Sequence, residues 1–165
     1  MTHPIIKSIA NEAVAQGLTS VRFNFRGVGG STGRFTGGPG EIDDLSSVMA
    51  HVASNLPPAT GVAGWSFGAA IALMWQSIAS SAIPYAGIAP PVRWPAGSAL
   101  PPADSLVAAE REFIIGDRDQ FVDVEDLTRY AATVNASVNL YARTDHFFIN
   151  KYERLAQDVL KAISR

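Results

Sequence analysis

Ser66 sits in Gly64-Trp65-Ser66-Phe67-Gly68, a G-x-S-x-G pattern between a short apolar run, Gly61–Trp65, and an apolar helical stretch starting near Ala69. A serine hydroxyl on its own is a weak nucleophile near neutral pH. It acts only with a base beside it and a carboxylate to hold that base. A sharp strand-to-helix turn suits this chemistry, because its strained backbone pushes the hydroxyl out of the sheet and flanking glycines remove side chains that would collide there. The Phe67 N–H, at the start of the helix, is then placed to face a developing oxyanion. The bland alternative is a glycine-rich turn whose serine caps a helix. With 14 Gly in 165 residues, the pattern alone does not decide.

The partners of such a serine follow it in the order acid, then histidine. Phe113-Ile114-Ile115-Gly116 reads as a strand that runs into Asp117-Arg118-Asp119, and Thr144-Asp145-His146 follows the last strand candidate. Of the three histidines, His3 lies at a terminus and His51 lies within an amphipathic helix, so His146 is the candidate base. Asp119 and Asp117 both qualify as the acid. Only one can face the imidazole, because neighbouring loop residues diverge.

These groups need a scaffold that brings several strand ends to one edge. Residues 4–16 carry Ile5, Ile6, Ile9, Ala10, Ala13 and Val14 at helical spacing, with Gly17 placed to end the helix. Val21–Phe25 reads as a strand leading into a glycine-rich loop, and Ile42–Val52 reads as an amphipathic helix closed by Pro57-Pro58. Gly61–Trp65, Tyr85–Ala89, Glu112–Ile115 and Leu140–Ala142 are further strands. The stretch from Ala69 to about Ile78 is a central helix, a helix capped by Asp123 carries Leu127 and Tyr130, and a final helix aligns Ile149, Tyr152, Leu155, Val159 and Ile163. Strands alternating with helices imply a single α/β domain over 1–165 with a mostly parallel sheet covered on both faces. Residues 91–111, with four prolines, read as an irregular excursion that walls a pocket. Phe67, Trp94, Phe147 and Phe148 are candidate apolar wall residues, with core packing an equal alternative.

Composition narrows the function classes. A 47% hydrophobic, 17% charged chain is that of a globular protein, and 13 Lys+Arg against 15 Asp+Glu, with no basic cluster, lack the electrostatic basis for nucleic-acid binding. No apolar run reaches the roughly 20 residues of a membrane-spanning helix. The start of the sequence lacks the order of a signal peptide, so a cytoplasmic location is expected. The absence of Cys excludes disulfides, thiolate metal sites and a cysteine nucleophile. Gly27–Ser31 invites a nucleotide-binding reading, but Thr32 stands where the third glycine of G-x-G-x-x-G belongs and no P-loop lysine follows.

Taken together, Arg22-Phe23-Asn24-Phe25-Arg26-Gly27-Val28-Gly29-Gly30-Ser31, the elbow Gly64–Gly68, Gly116-Asp117-Arg118-Asp119 and Asp145-His146-Phe147-Phe148 resemble bacterial α/β-hydrolase-fold proteins related to dienelactone hydrolases. The resemblance implies an α/β-hydrolase fold, and the G-x-x-D position selects Asp119 as acid, with Asp117 as runner-up. It further implies hydrolysis of a small-molecule carboxylic ester or related acyl compound through an acyl-enzyme on Ser66, with no metal or organic cofactor. Members of this group begin with a β-region ending in a His-Pro-rich loop that supplies a second oxyanion donor. Met1 stands almost at the helix after it, so an N-terminally reduced sheet of about five strands and lowered activity are expected. In that reduced sheet, Val21–Phe25 either pairs with Gly61–Trp65 or is joined by a strand of another chain, which makes a homo-oligomer an expectation. The alternative to a working enzyme is a catalytically silent binding module that kept the triad residues.

Overall fold

The computed structural model describes residues 3–94 and 97–164, and only the backbone at 94, 97 and 98. Four strands, β1 (Val62–Trp65), β2 (Tyr85–Ile88), β5 (Arg111–Gly116) and β6 (Ser137–Tyr141), form a sheet in the order β1-β2-β5-β6. Every pairing in it is parallel. β2 and most of β5 are buried, as expected of strands covered on both faces.

Five helices supply the cover. α2 (Pro39–Asn55), α3 (Phe67–Ile78) and α4 (Val124–Thr133) pack on one face through Leu45, Leu73 and Leu127. On the other, α1 (Pro4–Ala15) and α5 (Tyr152–Ile163) meet through Ile5, Leu155 and Val159. α1 ends where the sequence predicts. Gly17 adopts φ +78, and the N–H of Leu18 turns back to the Ala13 carbonyl at 2.9 Å. Asp123 caps α4 by accepting from the Asp126 N–H at 2.9 Å. α3 is buried from Ala69 to Leu73 and again at Trp75 and Gln76, so it is the central helix its composition implies. No helix among the described residues is long and apolar enough to cross a membrane.

Three expectations require correction. Val21–Phe25 forms no strand, and the main sheet among the described residues has four parallel strands, close to the expected number of about five. Phe23 and Phe25 pack on the core, yet among the described residues β1 pairs only with β2. β6 begins at Ser137, ahead of the expected Leu140, because its half-buried Val138 pairs with Phe113 of β5. α5 begins at Tyr152, leaving Ile149 exposed outside it. Residues 91–111 are largely irregular, as expected. Ahead of β5, the regular elements among the described residues of this stretch are two paired two-residue strands, β3 (Arg93–Trp94) and β4 (Gly97–Ser98), and one 3₁₀ turn, Ala103–Ser105.

Candidate active site

The C-terminal ends of β1, β5 and β6 reach the same edge of the sheet, where ligands of open α/β sheets collect. Ser66 follows β1 directly, and its N–H donates to the Ile88 carbonyl at 2.7 Å, which continues the ladder one residue past the strand. Its backbone then turns sharply to φ 51, ψ −123, a conformation that glycine alone adopts freely, and α3 begins at Phe67. The turn depends on Gly64. A Cβ there would lie 2.5 Å from the Gly68 carbonyl oxygen and 2.6 Å from Ala69 N. Gly68 is less constrained, with Phe25 Cε2 as the nearest atom at 3.9 Å.

Asp119 and His146 are brought together. His146 Nδ1 lies 2.8 Å from Asp119 Oδ2, and both side chains are buried, at 5% and 0% exposure. The other carboxylate oxygen, Oδ1, accepts from the Phe121 and Val122 N–H groups at 2.9 Å each, so the aspartate cannot rotate away from the imidazole. A carboxylate only accepts hydrogen bonds. The neutral ring therefore carries its proton on Nδ1, leaving Nε2 as the basic nitrogen.

Asp117 has a different task. Its Oδ1 accepts from the Thr144 N–H at 3.1 Å, and the Arg118 N–H donates to the Thr144 carbonyl at 2.9 Å, which clamps the loop bearing His146 onto the end of β5. Main-chain hydrogen bonds from Arg143 and Thr144 hold the Asp117 carboxyl below its usual range. The spacing of the two aspartates could not separate these roles. The hydrogen bonds do.

An aromatic frame surrounds the imidazole. Phe121 and Phe147 stand edge-on to it at 5.0 and 5.6 Å between centroids, and Trp65 is tilted at 5.3 Å. The Trp65 indole N–H also donates to the His146 carbonyl at 3.1 Å, tying the residue before Ser66 to the loop that carries the imidazole. Sequence reading missed Trp65, Phe121 and Gln120, whose Oε1 lies 3.4 Å from the His146 N. For Trp65 the signal was its place inside the elbow motif. Of the expected wall residues, Phe147 lies at the rim and Phe67 packs against Phe25 and Phe35 at 5.7 and 5.3 Å. Phe148 is fully buried against Tyr141 and belongs to the core, and the side chain of Trp94 lies outside the described residues.

His51 lies on the exposed side of α2 with Asn55. His3 stacks on Trp65 at 3.9 Å and lines the same cavity as Ser66. No hydrogen bond joins Ser66 Oγ to His146 among the described residues. The glycine loop is not built for a nucleotide. Its N–H groups at Gly27 and Ser31 are bonded within the loop, and the next helix begins only at Pro39.

The parallel sheet, its order and the edge that gathers these side chains are those of an α/β-hydrolase fold. The chain belongs to the alpha/beta hydrolase family, whose family pattern matches residues 6–161. A solved α/β serine hydrolase without a lid, from Xanthomonas campestris, is 30% identical with a TM-score of 0.84, covering 99% of this chain and 73% of that one. An α/β serine hydrolase homologue from Coxiella burnetii is 28% identical with a TM-score of 0.85, covering 98% and 76%. An uncharacterized protein of Rickettsia prowazekii is 30% identical, covering 96% of this chain and 70% of its own length.

Proposed function

We propose that this chain is a serine hydrolase of carboxylic esters or related acyl compounds, working through an acyl-enzyme. The observation that carries the reading is the buried His146–Asp119 pair beside an elbow serine at φ 51. Two relatives near 30% identity described as a serine hydrolase and a serine hydrolase homologue support it.

In this mechanism Ser66 Oγ attacks the carbonyl carbon as its proton passes to His146 Nε2, and Asp119 stabilises the resulting imidazolium. The Phe67 N–H, at the N-terminus of α3, stabilises the oxyanion. Collapse of the tetrahedral intermediate breaks the bond to the leaving oxygen, which takes the proton from His146. Water then attacks the acyl-enzyme, giving its proton to His146, and the second collapse releases the acid and restores the Ser66 hydroxyl. No step calls on a metal or organic cofactor.

The test is covalent labelling by a fluorophosphonate together with turnover of a short-chain nitrophenyl ester. Wild type is expected to do both and Ser66→Ala neither. A second reading, a silent binding module, is favoured by the missing Ser66–His146 hydrogen bond, although such bonds are often long in a free enzyme and tighten with substrate. Wild-type protein that neither labels nor turns over ester would establish it.

A further inference from the structure

The proton that His146 returns goes to the leaving oxygen, so that oxygen must come within hydrogen-bond reach of Nε2. Whatever the leaving alcohol carries then lies against the groups that surround the imidazole. Two of these are exposed phenylalanines, Phe121 at 67% and Phe147 at 37%, beside an imidazole side chain that is only 5% exposed. They belong to the loops after β5 and β6, toward the opposite end of the sheet from β1.

The three rings form a corner. The planes of Phe121 and Phe147 cross at 89° with centroids 6.1 Å apart, and they stand at 77° and 87° to the imidazole. Nε2 lies at most one ring radius farther from each phenyl centroid than the imidazole centre does. The backbone under both rings is anchored, with the Phe121 N–H donating to Asp119 Oδ1 at 2.9 Å and the Phe147 N–H to Asp145 Oδ1 at 3.1 Å. Adjoining rings left to solvent beside a reactive nitrogen mark a contact for a ligand.

A flat apolar guest suits this corner. A ring parallel to any one of the three stands edge-on to the other two, and offset-stacked and edge-to-face pairs are the favoured arrangements of aromatic groups. A small polar alcohol would give up water around its oxygens and find no partner for them on phenyl rings. A cationic alcohol would meet like charge, because His146 is an imidazolium when the bond to the leaving oxygen breaks.

We propose that Phe121 and Phe147 form the leaving-group subsite and that the substrates are esters of benzyl-type alcohols. This rests on the hydrolase reading above. The acyl carbon passes to Ser66 Oγ, its bond to the alcohol oxygen breaks, and the alcohol takes the Nε2 proton and departs from the aromatic corner. The two rings act on acylation, which kcat/KM reports, since deacylation is common to all esters of one acid.

Acetate esters of benzyl alcohol and 2-methoxyethanol share an acyl group and have leaving alcohols of similar acidity, so the ratio of their kcat/KM values reads the subsite. Wild type is expected to favour benzyl acetate by at least about tenfold, and Phe121→Ser and Phe147→Ser each to cut that ratio by at least about threefold. The ratio is taken within one protein, so a general loss of activity cancels. Ser66→Ala turns over neither ester and supplies a binding reading. Benzyl alcohol is expected to shift its His146 and Phe147 amide NMR signals saturably, and adding Phe121→Ser is expected to weaken that binding by at least about threefold. A wild type that hydrolyses no ester, with Ser66→Ala still binding the alcohol, would remove the hydrolase reading and support the corner as an aryl site. The proposal is overturned by a ratio near one in wild type, by a ratio that survives both serine variants, or by the absence of saturable shifts. It also fails if acetylcholine is hydrolysed faster than its neutral isostere 3,3-dimethylbutyl acetate, since the corner would then hold a cation.

Discussion

A Cβ placed on Gly116 would lie 2.1 Å from the carbonyl oxygen of Thr144. The last residue of β5 must therefore lack a side chain for the His146 loop to reach it. That contact, with the two hydrogen bonds between Thr144 and the Asp117-Arg118 turn, sets where the imidazole stands relative to Asp119. Gly116→Ala pushes against backbone, which cannot rotate aside as a flexible side chain can. Overpacking of this kind costs about 1–3 kcal/mol, so the melting temperature of a domain this size is expected to fall by roughly 3–10 °C. Fluorophosphonate labelling is expected to slow at least tenfold at temperatures where the variant is still folded. Labelling at the wild-type rate would show that the loop holds its place without this approach.

The two aspartates are expected to separate by experiment. Asp119→Asn replaces an acceptor fixed on Nδ1 with an amide that can favour the wrong tautomer, and ester turnover is expected to drop by roughly 10²- to 10⁴-fold with little change in melting temperature at neutral pH. Asp117→Asn is expected to leave turnover within about tenfold and to act on stability instead. The Asp117 carboxyl is held below its ordinary value of 3.8, so the folded state releases its proton more readily than the unfolded state. Its stabilisation is thus present above that value and is lost as pH falls through the lowered folded one. Melting temperatures of wild type and Asp117→Asn are expected to converge as pH drops below about 4. The reverse pattern, with turnover collapsing in Asp117→Asn alone, would move the acid role to Asp117.

That Ser66, the Asp117/Asp119 pair and His146 come to one edge of the sheet was legible in the sequence because each depends on a local pattern: a serine between glycines, carboxylates at a strand end, a histidine after the last strand. The strand assignment at Val21–Phe25 failed for a related reason. Alternation of Val21, Phe23 and Phe25 encodes an extended chain with one side on the core, but a strand also needs a hydrogen-bonded neighbour, and no local pattern specifies one. The division of labour between Asp117 and Asp119 likewise depends on which N–H groups the Thr144 loop presents. The Trp65–His146 bond spans 81 residues and arises only when β1 and the loop after β6 meet.

Ser66 holds φ 51, ψ −123, a backbone state that costs a residue with a Cβ about 1–3 kcal/mol. Glycine relieves that strain, at a cost of roughly 0.5–1 kcal/mol in unfolded-chain entropy. Ser66→Gly is therefore expected to melt above Ser66→Ala by a few degrees, with labelling absent from both. Chemical denaturation of the two variants side by side measures the difference. A glycine variant less stable than the alanine one would mean that the elbow turn is unstrained.

His3 supplies a pH dependence that does not involve the reaction. Its ring stacks on Trp65 at 3.9 Å, and Nδ1 is buried without a partner among the described residues. Burial, reinforced by the nearby His146, lowers the His3 pKa from its ordinary 6.5. The unfolded chain then takes up a proton at a pH where the folded chain does not, so the stability contributed by neutral His3 is present above 6.5 and is lost as pH falls through the lowered folded value. His3→Phe keeps an aromatic ring against the indole and removes the titration. Between pH 7.5 and pH 5.5 the melting temperature of this variant is expected to fall less than that of wild type, while the two agree more closely at the upper end. Parallel curves across that interval would show that the ring at position 3 accepts its proton as freely in the folded chain as in the unfolded one.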